Sequence, residues 1–200
     1  ERFFIPRAPD GSEAVYFTGN SLGLTPRSVR EYVEQELKDW ETLGVEGHLH
    51  AKSPWLPYHE FLTEQMARLV GARPIETVVM NSLTVNLHLM MVSFFEPSAE
   101  RTKVVVEKGP FPSDRYAIAS QMRCHGLNPA EMLIELMPRA GESTLRTEDI
   151  VETIESEGKS LAMVLLGGVN YYSGQAFDMK AITAAGHGVG AKVGFDLAHA

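Results

Sequence analysis

The spacing of apolar positions changes character partway along the chain. Residues 1–23 keep no period, and Pro6, Pro9, Gly11, Gly19 and Gly23 interrupt them, so this stretch reads as loop. Val29, Val33, Leu37 and Trp40 then recur at helical spacing. Thr25 is placed to cap that helix, Pro26 suits its first position, and Gly44 and Gly47 end it. Residues 53–57 form another loop, and 58–70 read as a second helix stopped at Gly71. From Thr77 onward short apolar runs alternate with amphipathic ones. Strands are predicted at 77–80, 102–107, 132–137, 161–166 and 192–197. Helices are predicted at 84–95, 113–123, 148–157 and 178–186, with Thr84, Ser113 and Thr147 as plausible caps. Strands that are apolar on both faces and separated by helices predict an α/β fold, a mostly parallel sheet with flanking helices. The chain divides on this reading into an arm with helices, residues 1–72, and the α/β part, residues 73–200.

Composition narrows the classes of function. Acidic residues number 26 and basic residues 18, a formal charge of −8, which argues against nucleic acid or an anionic membrane as the partner. Apolar residues make up 44% and charged residues 22%, the balance of a globular chain. The longest apolar run, residues 87–95, is interrupted by His88 and Ser93 and is too short to span a bilayer. Cys124 is the sole cysteine and cannot form an internal disulfide, so a reducing, cytoplasmic setting is expected. The chain begins without methionine, shows no signal-peptide pattern and stops just after a strand, so it reads as a piece of a longer polypeptide.

In open α/β sheets ligands bind beyond the carboxyl ends of the strands, so the polar residues there carry the candidate chemistry. They are residues 81–84, 109–114, 167–170 and 196–199. Ser82 and Thr84 stand where a strand turns into a helix; they either bind a phosphate at the helix N-terminus or only cap the helix. Phe111, between Gly109-Pro110 and Pro112, either stacks on a planar ring or anchors core. Asp114 either pairs with a ring substituent or favours a helix's first turn. Asp196 ends the apolar run Val193-Gly194-Phe195, where an ionised carboxylate is costly unless neutralised. A protonated ring nitrogen, an arginine or a metal would do so, and His199 lies three residues on.

Other patterns fail. Gly186-His187-Gly188-Val189-Gly190 ends a helix and precedes a strand, the reverse of a dinucleotide fingerprint. His48 and His50 have a ligand-like spacing but no companion cysteine or carboxylate pattern, so no metal is expected. No Gly-x-Ser-x-Gly elbow occurs, and Cys124 reads as a small apolar residue. Glu148, Asp149, Glu152, Glu155 and Glu157 read as a solvated helix face, and Leu87, Met90, Met91 and Phe94 as core.

Five segments in order carry a resemblance. They are Gly19-Asn20-Ser21-Leu22-Gly23-Leu24, residues 81–87 (Asn-Ser-Leu-Thr-Val-Asn-Leu), Phe111-Pro112-Ser113-Asp114, Tyr172-Ser173-Gly174-Gln175, and residues 194–200 (Gly-Phe-Asp-Leu-Ala-His-Ala). Together they resemble the kynureninases, pyridoxal 5'-phosphate (PLP) enzymes of the aspartate-aminotransferase-like fold type I. The resemblance implies the first part of the large PLP-binding domain for residues 73–200, truncated before the lysine strand. It implies hydrolytic Cβ–Cγ cleavage of L-kynurenine or 3-hydroxykynurenine to anthranilate or 3-hydroxyanthranilate plus L-alanine. That reaction belongs to tryptophan catabolism and NAD biosynthesis.

Residue by residue, the resemblance places the Leu83 main chain and Thr84 at the phosphate and Phe111 on the pyridine ring. Pro112, Ser113 and Asp114 complete the loop, Asp196 partners the ring nitrogen, and His199 is a further cofactor contact. Gly167 stands where the family often has a serine that helps to hold the cofactor. Ser21 and His48 fall on the substrate side, His48 near the aromatic end. No catalytic residue is expected within the chain, because the Schiff-base lysine of the family lies beyond the position of Ala200; the segment alone is expected to be inactive. A homodimer is implied, with a small-molecule substrate and neither nucleic acid nor membrane as partner. Two alternatives stay open: another fold type I PLP enzyme, such as a cysteine desulfurase or class-V aminotransferase, and a non-catalytic relative.

Overall fold

Alternating apolar runs need a neighbour to complete their backbone hydrogen bonds, and most of those predicted find one. The computed structural model describes residues 2–200. It separates into two units, Glu1–Asn81 and Ser82–Ala200.

In the first unit the arm is held by antiparallel bridges, Phe3 with Pro26 and Arg7 with Glu13. Phe4 N donates to Thr25 O (2.9 Å) and Arg27 N to Arg2 O (3.0 Å). Those bonds keep Thr25 and Pro26 extended, so the first helix, α1 (Val29–Leu43), starts later than the Thr25 cap predicts. Its buried residue is Asp39, which accepts from Gln35 Nε2 and from Lys52 N, both at 3.0 Å. The apolar stripe of α1 remains open in the described residues: Val33, Leu37 and Trp40 are 54%, 49% and 66% exposed. Helix α2 (Gly47–His50) tucks under Trp55, whose indole N–H donates to Glu36 Oε2 at 2.8 Å. A Cβ on Gly47 would lie 2.4 Å from the Trp55 ring, so only glycine fits. The helix predicted at 58–70 is split: Tyr58–Glu60 form a 3-10 turn and α3 spans Thr63–Val70, closed by Gly71 in the left-handed region. The strand predicted at 77–80 is corrected. These residues are not in a strand, and Val78 and Met80 are exposed. Strand composition over four residues is too short a run to make a strand by itself.

The second unit begins with α4 (Leu83–Phe94) and continues with β1 (Lys103–Glu107), α5 (Pro112–Cys124), α6 (Pro129–Met132), β2 (Leu133–Leu136), α7 (Thr147–Glu157), β3 (Leu161–Gly167), α8 (Met179–Gly188) and β4 (Lys192–Asp196). The strands form one parallel sheet in the order β2-β1-β3-β4. Successive strand residues point to opposite faces, and both faces are covered. On one, Met91 and Phe95 with Ile118 and Met122 of α5 pack against Val104, Val106, Met163 and Leu165. On the other, Ile150 and Ile154 of α7, Phe177 and Ile182 pack against Val105, Val164 and Leu166. Asp178 caps α8 by accepting from Ala181 N at 3.0 Å. Of the α4 stripe, Met91 is buried, while Met90 and Phe94 are half exposed and line a groove with Met163 and Val193. Cys124 is exposed at the end of α5 rather than buried. In the acidic run Glu148, Glu152 and Glu155 are solvated, whereas Asp149 pairs with Arg139 and Glu157 with Lys103.

Arg101 ties three elements together. One guanidinium nitrogen donates to Leu161 O at 2.7 Å and the other to Val189 O at 2.8 Å. Its head lies over Gly190, where an added Cβ would come within 2.9 Å. Arg101→Met leaves two partly buried carbonyls unpaired and is expected to destabilise the second unit by about 2 kcal/mol. Urea unfolding checks this; an unchanged midpoint would show that the carbonyls are satisfied otherwise.

Candidate active site

The loops at the carboxyl ends of β1, β3 and β4 build one cluster in the second unit. After β1 the chain turns through Gly109, whose φ is +58°, and Pro110. Pro112 opens α5, which leaves Phe111 at the N-cap position and Ser113 and Asp114 in the first turn. Asp114 N donates to Phe111 O at 3.0 Å, fixing this corner. The ends of β3 and β4 are in register, Gly167 opposite Asp196. Gly168 N donates to Asp196 O at 2.7 Å, and a Cβ there would lie 2.4 Å from Leu197. The Asp196 side chain accepts from Ala198 N at 2.8 Å, which turns the chain and brings in His199.

Three rings meet above these ends. The centroid of Phe111 lies 5.2 Å from that of Tyr171, nearly perpendicular at 80°. His199 lies 6.1 Å from each of them.

Three carboxyls stand at the same strand ends and corner: Glu107 ends β1, Asp196 ends β4 and Asp114 lies in the first turn of α5. Asp114 is buried and has the Asp196 carboxyl as a close neighbour. Glu107, at the end of β1, is 4% exposed and accepts from Gly167 N at 3.1 Å. No ion pair among the described residues involves any of the three. The arginine clamp that would explain Asp196 structurally is therefore absent among the described residues. Two neighbouring carboxyls without a cation repel when both are ionised. Burial, and then the hydrogen bond and charge of Asp196, push the Asp114 carboxyl up to about 7, with Ser113 opposing. Burial also raises Glu107, against the hydrogen bonds that it accepts from its own backbone and from Gly167.

The residues singled out from the sequence fall into three groups. Phe111, Asp114, Asp196 and His199 come together, and Gly167 joins them through Glu107; Pro112 and Ser113 build the corner, Ser113 Oγ donating to Asp114 Oδ1 at 3.2 Å. Leu83 and Thr84 are exposed in the first turn of α4. Ser82 holds the N-cap position without a side-chain bond, so Thr84 is not the cap. Leu87, Met90, Met91 and Phe94 of α4 line a groove with Met163, Leu165, Lys192 and Val193, toward the starting halves of β3 and β4. The first turn of α4, with the free N–H groups of a helix start, therefore points toward the strands' carboxyl ends. Ser21 and His48 belong to the first unit. Ser21 sits in an exposed turn, its N–H on Thr18 O at 3.0 Å, and His48 is exposed, edge-on to Trp55 at 5.5 Å. Among the described residues no cluster of histidine, cysteine or carboxylates could hold a metal ion.

Sequence reasoning missed Glu107 and Tyr171. Glu107 carries the same signal as Asp196, a carboxylate ending an apolar strand, in Val104-Val105-Val106-Glu107. Tyr171 directly follows the strand-end segment 167–170. Chemically, adjacent carboxyls without a cation among the described residues, a cluster of aromatic rings and a helix N-terminus fit a planar cationic heteroaromatic group that bears an anion.

The Asp114 shift fixes a pH dependence. Its carboxyl is neutral in both states below about pH 4, the ordinary aspartate range. Between there and about 7 the folded state keeps a proton that the unfolded chain gives up, so stability falls as pH rises through that window. Asp114→Asn removes this loss. The variant is expected to melt on the order of 3–6 °C higher than the ligand-free parent at pH 8, with the gap closing near pH 4. Equal differences at both pH values would contradict the raised Asp114 carboxyl.

Comparison with known proteins follows the same lines. No family model matches the chain. It is 65% identical over 199 residues to the kynureninase of Koribacter versatilis, covering 100% of this chain and 47% of that protein. Identity is 60% with the kynureninase of Myxococcus xanthus, again with 100% and 47% covered, and 48% with that of Nematostella vectensis, with 100% and 45% covered. The chain thus spans about half the length of the curated relatives it matches. Among solved structures, a variant of C-DES with glycine covalently linked to its PLP cofactor superposes with a TM-score of 0.72 at 12% identity, over 96% of this chain and 49% of that one. An apo cysteine desulfurase from Thermococcus onnurineus NA1 gives 0.66 at 19% identity, over 92% and 44%. In sequence the chain resembles the kynureninases from end to end, and its sheet and helices have the α/β fold of the type I PLP enzymes.

Proposed function

We propose that the complete protein to which this chain contributes is a PLP-dependent hydrolase that cleaves the Cβ–Cγ bond of L-kynurenine or 3-hydroxykynurenine with water. The products are anthranilate or 3-hydroxyanthranilate and L-alanine. The observation that carries this reading is the placing of Asp114 against Asp196, with no ion pair to either among the described residues, on the strand-end loops that also bring Phe111 and His199 together. The 48–65% identity to kynureninases supports the choice of substrate.

The cofactor, when bound, supplies an electron sink that lets Cβ depart as a stabilised carbanion. The chain's own residues divide the remaining work. Asp196 holds a proton on the ring nitrogen, because an adjacent carboxylate raises that nitrogen's affinity for it. Asp114 shares the charge, and the hydrogen bond from Ala198 N aims the Asp196 carboxyl. Phe111 covers one ring face and excludes water there. The α4 N-terminus, with the Leu83 main chain and the Thr84 hydroxyl, receives the phosphate. Gly167 offers no hydroxyl; its N–H is already given to Glu107. Ser21 and His48 serve the substrate side, His48 toward the aromatic end.

The same reading places the enzyme in tryptophan breakdown and NAD biosynthesis, in the cytoplasm and as a homodimer. No helix among the described residues is long and apolar enough to cross a membrane. The complete protein is expected to release anthranilate from L-kynurenine and no sulfide from L-cysteine. Asp196→Ala is expected to cut kcat/KM by roughly 10²–10³-fold, the range for removal of one preorganised electrostatic group. Sulfide from cysteine with no anthranilate would instead favour a C–S lyase or desulfurase; full activity in the variant would remove the carboxylate from the chemistry.

A further inference from the structure

Tyr171 stands in a loop that is pinned on both sides while its ring is left open. Asn170 before it is buried, and its Oδ1 accepts from Tyr172 N (3.1 Å), Ser173 N (2.9 Å) and Ser173 Oγ (3.0 Å). Asn170 N donates to Gln175 O at 2.9 Å, and Gln175 is itself tied to the Leu145 backbone, which donates to its Oε1 at 2.9 Å. Such an Asx turn fixes the backbone of the residues it encloses. Yet the side chain of Tyr171 is 41% exposed, so core burial does not explain the effort.

Its ring is spent on two neighbours that other elements supply. Phe111 comes from the β1–α5 corner and His199 from the turn after β4, and Tyr171 makes ring contact with both. Phe111 is itself 41% exposed at a helix start, where two side-chain torsions are otherwise free. An edge-to-face contact at 5.2 Å and 80° selects one plane for that ring. No hydrogen bond among the described residues uses the Tyr171 hydroxyl, so the ring and not the oxygen makes these contacts.

We propose that Tyr171 is a positioning residue of the cofactor site: its ring fixes the plane of Phe111 and the placement of His199 before the cofactor arrives. The inference rests on the PLP reading above. It adds a third ring, from a third strand end, to a wall that the sequence assigned to Phe111 and His199 alone. Because the tyrosine acts through its neighbours, removing its ring loosens the site without touching the Asp114–Asp196 pair.

The test uses the complete protein stripped of cofactor, with Tyr171→Leu, Tyr171→Phe and Asp196→Ala as variants. Added PLP is followed by its dissociation constant and by the visible circular dichroism of the bound chromophore, and thermal melting is recorded without PLP. Tyr171→Leu is expected to weaken PLP binding roughly 3- to 10-fold, the scale of one lost aromatic pair, and to change the dichroic band. Its melting temperature is expected to stay within about 2 °C of the parent, as for an exposed side chain. Tyr171→Phe is expected to bind within about twofold of the parent and to restore the band, since the ring contacts remain. Unchanged binding and dichroism in Tyr171→Leu would overturn the proposal. So would equal damage in Tyr171→Phe, which would assign the effect to the hydroxyl, or a failure of Tyr171→Leu to fold, which would make the ring a structural prop. If the parent takes up no PLP, or Asp196→Ala binds as tightly as the parent, the cofactor reading itself fails and this inference with it. A parent that binds, an Asp196→Ala that does not and an unaltered Tyr171→Leu sink Tyr171 alone.

Discussion

Glu107, Asp114 and Asp196 converge at one end of a parallel sheet, and no lysine or arginine among the described residues pairs with them. Buried carboxylates repel, and burial strips the water that would otherwise pacify them. The fold accepts this cost in a defined way. Glu107 takes the Gly167 N–H, Asp196 takes the Ala198 N–H, and Asp114, buried beside Asp196, holds its own proton up to about pH 7. What remains is a deficit of positive charge at the mouth of the site, and a protonated ring nitrogen supplies one positive charge.

The topology explains how such a site is assembled from residues far apart in sequence. Parallel strands deliver their carboxyl ends to the same edge of the sheet, so each following loop opens on the same side. Register then sets the fine spacing. Gly167 lies opposite Asp196, and Gly168 leaves room for Leu197, so β3 and β4 end close enough to share the site. The apolar layers on the two faces hold the strands rigid beneath it, with Phe95, Met122 and Ile118 on one side and Ile150, Ile154 and Ile182 on the other. A site placed on rigid strand ends keeps its geometry better than one carried by free loops.

Much of this was legible in the residues. Val104-Val105-Val106 and residues 161–166 are apolar on both faces, which a sheet covered on two sides requires. Gly71 as a stop follows from local chemistry and holds in the structure, whereas Thr147, read as a cap, stands inside its helix with Arg146 at the N-cap position. The failures are those of long-range context. Residues 77–80 have strand composition but form no strand, and the Thr25 carbonyl is bonded to Phe4 N beside the Phe3–Pro26 bridge instead of opening the helix. Cys124 is at the open end of α5, which a burial preference cannot foresee. In the site, Asp196 was visible because it ends an apolar run, and Glu107 gave the same signal unread. Tyr171 could not be found from spacing, because its importance lies in two rings 60 and 28 positions away that only the folded sheet brings near.

The account depends on the ring nitrogen of a bound cofactor carrying a proton beside Asp196. Nitrogen-15 NMR of ring-labelled PLP bound to the complete protein reports that proton directly. The account predicts a pyridinium signal that persists to pH 8 in the parent and moves to the unprotonated pyridine position in Asp196→Ala. An unprotonated nitrogen in the parent at neutral pH would contradict it.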